Sequence, residues 1–359
     1  MITAYPVSLF RRVLLAVTVP LVLLTATSGA SSTTISPCRQ VSQPTWSPDG
    51  KEIAFYGTRW PPPAHAHRNP NDILQALCTA NADGTNAQPL RYTVCSERCP
   101  DPPYPIVWLQ GGILYLRDGE IFRIVPGSKP QTIARVNAVS FVTNIAGTRI
   151  AAEKYWPACL TCAGPVTILD ARSGAPVGTA GGSKLDNLDP SLAPDGTTVA
   201  FERDASDDSG KTFGIWTAKT NGSHLRQLVR VGQNPLWSPT GGKIAYVAYA
   251  GKSVALRLIS ARGGKSRALV PGNVSTVFGW SPDGRSIAFE TGSGKLAVVD
   301  VATRKVRSLL QLHFAPTAVW SPDSSELLAD TVPKTQKCWS TWRVPVDGSK
   351  PTLISTCTW

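Results

Sequence analysis

His65-Ala66-His67-Arg68 places two imidazoles at alternate positions. On extended backbone they project to the same side, so they could share one metal ion. A catalytic site needs a third ligand, and the chain holds only four histidines. His224 and His313 belong to distant segments, so no metal is expected, and the pair reads as part of a Pro-rich loop after Trp60. Cys159-Leu160-Thr161-Cys162 has C-x-x-C spacing. A redox role needs a strand-then-helix setting that lowers a thiol pKa. Here the motif falls between two strands and reads as a structural staple. A zinc site shared with Cys95 and Cys99 conflicts with an oxidising compartment. Asp204, Asp207 and Asp208 with Gly210 do not match the twelve-residue calcium loop and read as a solvated hairpin. Gly263-Gly264-Lys265-Ser266 lacks the earlier glycine of a phosphate loop, and no Gly-x-Ser-x-Gly elbow is present. No catalytic residue and no cofactor is therefore expected. Trp60, Tyr104, Tyr155, Trp156 and Trp339 lie in insertions, and loop aromatics often anchor partners. With His65, His67 and Arg68 they form the expected ligand- or partner-binding set.

Repeats must position these loops. WSPDGKEIAF begins at Trp46, WSPTGGKIAYV at Trp237, WSPDGRSIAFE at Trp280 and WSPDSSELLAD at Trp320; LAPDGTTVAFE from Leu192 is the same phrase without its Trp. An apolar residue leads into a Ser-Pro-Asp-Gly turn and an alternating strand follows, which makes a hairpin. A second hairpin comes next each time, as in Lys295-Leu296-Ala297-Val298-Val299 and Val306-Arg307-Ser308-Leu309. Each unit is thus a four-stranded antiparallel meander. The phrases start 45, 43 and 40 residues apart between Leu192 and Trp320. Propeller blades run about 40–45 residues. The expected fold is all-β, a single β-propeller of seven blades with six as the alternative. The blades fall at 44–98, 105–135, 138–180, 188–230, 234–271, 276–310 and 316–357, within a domain spanning 31–359. Trp46, Trp237, Trp280 and Trp320 occupy a framework position and are expected in the core.

The WSPDG-x-x-IAF phrase occurs with a later Asn81-Ala82-Asp83-Gly84 or Val346-Asp347-Gly348 turn. Together they resemble the WD40-like repeat of TolB-type β-propellers across essentially the whole mature chain. The resemblance implies a non-enzymatic binding or scaffold module of the cell envelope. The helical N-terminal domain of TolB has no counterpart here, and there is no room for a hydrolase domain like those that accompany peptidase propellers. Seven-bladed sugar lyases with a histidine-bound metal supply the alternative, a propeller lyase or hydrolase acting on a saccharide or lactone at the central channel.

Residues 1–30 have the three parts of a secretory signal: Arg11 and Arg12 with no acid, an apolar stretch from Val13 to Thr27, and Ser28-Gly29-Ala30 for cleavage. The expected location is secreted or periplasmic, with no membrane span after cleavage; retention of residues 13–27 as an anchor is the alternative. Lys and Arg number 36 against 24 Asp and Glu, for a net charge of +12. Basic residues are scattered, which reads mostly as solvated surface and also suits an acidic partner. The expected partner is a protein or an envelope polymer, not nucleic acid. Eight cysteines in an exported chain imply disulfides. In an up-and-down meander the first and third turns share one end, and the second turn and the blade link share the other. Every cysteine except Cys78 falls at the second end, with the long insertions. The expected pairs are Cys38–Cys357 closing the ring, Cys95–Cys99, Cys159–Cys162 and Cys78–Cys338.

Overall fold

Ser281 shows why the repeated phrase has its composition. Its Oγ accepts the Ser286 N–H at 2.9 Å and donates to Asp283 Oδ1 at 2.6 Å. The same carboxylate accepts the Arg285 N–H at 3.0 Å. Gly284 closes the turn at φ +71°, a left-handed conformation that costs glycine little. Ser47 with Asp49 and Ser321 with Asp323 repeat the arrangement. Serine and aspartate thus satisfy the backbone of a tight strand connection before any tertiary packing.

These turns organise a computed structural model that describes residues 38, 41–59, 73–95, 105–154, 164–182, 186–204, 213–250, 253–311, 317–331 and 340–356. All of them belong to one compact unit, residues 36–359. Blade 1 is β1 (Val41–Trp46), β2 (Glu52–Arg59), β3 (Ile73–Asn81) and β4 (Gln88–Cys95). Blade 2 is β5 (Ile106–Leu109), β6 (Gly112–Arg117), β7 (Glu120–Ile124) and β8 (Gln131–Arg135). Blade 3 is β9 (Ala138–Thr143), β10 (Arg149–Lys154), β11 (Val166–Asp170) and β12 (Pro176–Ala180). Blade 4 is β13 (Asp186–Leu192), β14 (Thr198–Asp204), β15 (Gly214–Lys219) and β16 (Arg226–Val229). Blade 5 is β17 (Gln233–Trp237), β18 (Lys243–Ala250), β19 (Ser253–Ser260) and β20 (Arg267–Val270). Blade 6 is β21 (Val274–Trp280), β22 (Ser286–Thr291), β23 (Lys295–Asp300) and β24 (Val306–Gln311). Blade 7 is β25 (Ala318–Trp320), β26 (Glu326–Thr331), β27 (Ser340–Pro345) and β28 (Thr352–Thr356). Each blade is an antiparallel sheet of four consecutive strands, so the fold is a seven-bladed propeller.

The core lies between blades rather than inside any one of them. Seven apolar clusters occupy the seven interfaces, including the one between blades 7 and 1, so the wheel is closed. The IAF run explains the packing. Ile287 and Phe289 join the cluster toward blade 5, and Ala288 joins the cluster toward blade 7. Ile53, Phe55 and Ala54 divide in the same way. A large residue faces back and a small one faces forward, so adjacent sheets can interlock.

Polar bonds reinforce the interfaces. The indoles of Trp280, Trp320 and Trp46 donate to the carbonyls of Leu236, Gly279 and Val319 on the preceding blade, at 3.0, 3.1 and 3.2 Å. Farther out, Arg226 donates to the carbonyls of Ala261 and Arg262 in the next blade at 2.8 and 3.0 Å. Arg267 reaches Val301 at 3.2 Å and Arg307 reaches Val346 at 2.7 Å. Arg123 clasps the carbonyls of Ala171 and Arg172 in the same manner. Part of the positive charge that the sequence presents as solvated surface is therefore used as guanidinium clamps.

The seam between the last and first blades carries two corrections. Cys38 pairs with Cys78, at a Cα–Cα distance of 5.9 Å, and not with Cys357. Cys78 in turn is not bonded to Cys338. Cys38 precedes β1 and turns into the apolar layer, where it is buried beside Val41, Phe55, Ala76 and Cys78. The cysteine that reaches it is the one buried on β3. The other two expected pairs involve residues outside the described ones. The seam itself is bridged by Asp330. Its Oδ2 accepts the Gln43 N–H at 2.8 Å and the Thr317 hydroxyl at 3.2 Å. The Thr341 hydroxyl lies 2.6 Å from Asp330 Oδ1 and 3.3 Å from the Val41 carbonyl. A hydroxyl has one proton to give. A neutral Asp330 carboxyl can donate to Thr341 and free that proton for Val41.

Two outcomes are expected. Burial pushes the Asp330 carboxyl up to about 6, above its ordinary 3.8. Its contribution to stability is therefore greatest below pH 3.8 and is lost as pH rises through about 6. Thermal unfolding across that range should show a falling midpoint that Asp330→Asn flattens; equal slopes in both proteins would refute the assignment. Cys78→Ser opens a crosslink spanning 40 residues. It should cost about 4 kcal/mol in denaturant unfolding, on the chain-entropy estimate.

Candidate functional site

The inner strands of blades 3 to 6 end together at a cavity of about 280 Å³. Thr143 and Ile145 enter from the end of β9, Pro190 and Leu192 from β13, Leu236 and Trp237 from β17, and Trp280 from β21. None of the lining residues is charged. The cavity opens on the face that carries the first and third turns. Backbone bonds place these turns together in each blade: Thr220 N–H to Thr197 O at 3.0 Å, Ala261 N–H to Gly242 O at 3.1 Å and Val301 N–H to Arg285 O at 2.9 Å. Ser191 and Ser238 are committed to the scaffold, since Ser191 Oγ accepts the Trp237 N–H at 2.8 Å and Ser238 Oγ accepts the Lys243 N–H at 3.1 Å. The mouth can thus offer an apolar and aromatic surface, with no acid–base group on its wall.

Trp46 and Trp320 are buried, as a framework position requires. Trp237 and Trp280 are only partly buried and line the cavity. Trp237 also bonds differently, its indole donating to Gly241 O of its own turn at 3.1 Å. The blade before it carries Leu192 in place of Trp, which alters the neighbouring surface. An identical phrase therefore yields core tryptophans in blades 1 and 7 and pocket tryptophans in blades 5 and 6.

A second group of polar residues lies at the other ends of the second strands. Gln43, Asp189 and Asn234 have φ of 49°, 47° and 51°, and each precedes a proline within a bulged inner strand. Proline has no N–H and suits a bulge. The left-handed residue turns its own N–H toward the preceding blade, where a carboxylate receives it. Asp330 receives Gln43 at 2.8 Å and Glu202 receives Asn234 at 3.2 Å. Glu153 receives the Asp189 N–H. Burial, then the Asp189 and Glu202 carboxylates, push Glu153 up to about 7. Burial also raises Asp189 and Glu290. Arg203 stacks over Trp216 at 4.3 Å and donates to Asn187 at 3.2 Å and to the Gly181 carbonyl. Among the described residues no group of three His, Cys, Asp or Glu side chains is arranged to hold a metal ion.

Trp60, His65, His67, Arg68, Tyr104, Tyr155, Trp156 and Trp339 all lie outside the described residues, as do Cys99, Cys159, Cys162, Cys338 and Cys357. The cavity and the carboxylates were missed by sequence reasoning. The latter had a signal: an acid closing the second strand, paired with an x-Pro step opening the next blade.

No protein-family profile matches the chain. Solved structures share its architecture, two of them as follows. An oligogalacturonate lyase in complex with manganese matches with a TM-score of 0.66 and 15% identity, over 87% of this chain and 91% of that one. TolB from Acinetobacter baumannii matches with a TM-score of 0.51 and 14% identity, over 78% of this chain and 75% of that one. The chain has the fold of a TolB-type β-propeller. At such identities the likeness shows the fold alone. The chain also aligns at 33% identity over 120 residues with the uncharacterized peptidase YuxL of Bacillus subtilis (strain 168). The aligned stretch is 31% of this chain and spans only 18% of that relative's length.

Asp189→Asn keeps a residue that tolerates the left-handed conformation and removes one of the charges facing Glu153. Carboxyl titration followed by NMR should place Glu153 near 7 in the wild type and lower in the variant. An unchanged midpoint would show that the two carboxylates do not interact.

Proposed function

We propose that this protein is an exported, non-enzymatic propeller that binds a protein or an envelope polymer, at the cell envelope or outside the cell. The uncharged cavity at the inner-strand ends of blades 3 to 6, with its two partly exposed tryptophans, carries the reading. An enzyme would bring polar groups from several blades to that cavity, whereas a binder offers an aromatic rim. Support for export comes from the signal-like composition of residues 1–30 and from the Cys38–Cys78 disulfide, which suits an oxidising compartment. The loop residues Trp60, His65, His67, Arg68, Tyr104, Tyr155, Trp156 and Trp339 are proposed as a further binding set.

A second reading is an enzyme acting on a saccharide or lactone, with His65 and His67 at its centre. The extent of the likeness to the manganese-bound lyase favours keeping it. One set of experiments separates the two. Partners are captured from the native secretome with wild type and with Ile145→Asp, which alters a pocket residue that is 59% exposed and so leaves the fold intact. Trp156→Ala and Trp339→Ala are run beside them. Recovery of the main partner should drop about tenfold with Ile145→Asp. Equal recovery by all variants, together with manganese-dependent saccharide cleavage abolished by His65→Ala, would establish the enzyme instead.

A further inference from the structure

The acidic residues of this chain are unevenly placed. From residue 209 to residue 282 there is no Asp or Glu, while ten Lys and Arg fall in the same stretch. The gap covers the outer half of blade 4 and all of blade 5. It arises at the turns, where blades 1, 6 and 7 use aspartate as the backbone acceptor. Thr240 stands where Asp49, Asp195, Asp283 and Asp323 stand in their own first turns. Its hydroxyl lies 3.3 Å from Ser238 Oγ, as the Asp283 carboxylate meets Ser281. Asn221 takes the place of Asp83 and Asp347, and its Oδ1 accepts the Ser223 N–H at 3.1 Å as Asp83 accepts that of Thr85 at 2.9 Å. Ser260 takes the place of Asp170 and Asp300, and its Oγ accepts the Arg262 N–H at 3.2 Å. Three turns therefore keep their hydrogen bond and lose their negative charge.

What remains around them is positive. Lys219, Lys243, Arg262 and Lys265 are exposed on these turns, and Arg304 and Lys305 continue the set into blade 6. No ion pair joins any of these six to an acid among the described residues. Arg226 ties blade 4 to the Ala261–Arg262 turn, so neighbouring blades present their cations on one continuous rim. Folding does not require this pattern, since blades 1, 6 and 7 build both of these turns with aspartate. The acid-free surface runs from the third turn of blade 4 across blade 5, between Asp195 and Asp283 on the flanking first turns, and a surface stripped of one sign attracts the opposite sign in extended form.

We propose that the turn-face rim of blades 4 to 6 binds a linear polyanion, a polymer carrying a phosphate or carboxylate on each repeat. The proposal rests on the reading of the protein as a binding module, but it uses a surface beside the cavity rather than the cavity itself. The test uses the full chain with labelled poly(glycerol phosphate), labelled polyglutamate and phosphatidylglycerol vesicles, at low and physiological salt. The charge-restored variant Asn221→Asp/Thr240→Asp/Ser260→Asp and the variant Arg262→Glu/Lys265→Glu are compared with Lys129→Glu, an exposed lysine on blade 2. Both rim variants should weaken polymer binding about tenfold or more at low salt, with Lys129→Glu unchanged and salt weakening the wild type. Unfolding midpoints like the wild type's would confirm intact folding; should the charge-restored variant unfold early, the Arg262→Glu/Lys265→Glu result decides. Equal polymer binding by all variants, no polymer binding by the wild type, or binding to vesicles alone would overturn the proposal. Loss of polymer binding leaves partner capture at the cavity untouched, so the two readings fail separately.

Discussion

The apolar layer between one blade and the next is the constraint on which everything else in this molecule depends. No sheet here has a core of its own. Ile and Phe on one side of a second strand, and Ala on the other, acquire partners only when a neighbouring sheet is present on each side. Burying such a layer supplies most of the favourable free energy, and hydrogen bonds add direction to it. The indole-to-carbonyl bonds and the guanidinium clamps fix the angle at which successive sheets meet. The ring closes because the interface of blades 7 and 1 is built from the same materials as the others.

That constraint also explains where specialisation is possible. The second strands are committed to packing, and the turns are committed to backbone hydrogen bonds. A turn acceptor can nevertheless be Asp, Asn, Ser or Thr without loss of geometry. Charge can therefore vary around the rim while the scaffold stays constant. The ends of the inner strands have similar freedom. A tryptophan there is sealed or open according to what the neighbouring blade places beside it.

Much of the architecture was legible in the sequence. The spacing from Leu192 to Trp237, Trp280 and Trp320 led to blades of the observed size, and the Ser-Pro-Asp-Gly composition led to the observed turns. Pairwise chemistry at long range was less visible. Cys38 was assigned to the chain's far end because both ends of a propeller meet, yet a cysteine buried on β3 was within reach. The exposure of Trp237 and Trp280 depends on residues 40 or more positions away, which the phrase itself does not encode. The arginine clamps look like ordinary surface charge until the next blade's carbonyls are in place. The buried carboxylates could have been found, since Glu153, Glu202 and Asp330 recur at one position of the repeat and an x-Pro step follows in the next blade.

Each blade draws its four strands from one uninterrupted stretch of chain. Among the described residues no strand is exchanged between the first and last blades, in contrast to a wheel whose last sheet is completed by the first strand. A blade is accordingly both the structural and the hereditary unit. Duplicating or deleting one in frame shifts the ring's circumference without leaving any sheet unfinished, and joining the ends while cutting at another blade boundary would preserve every ladder.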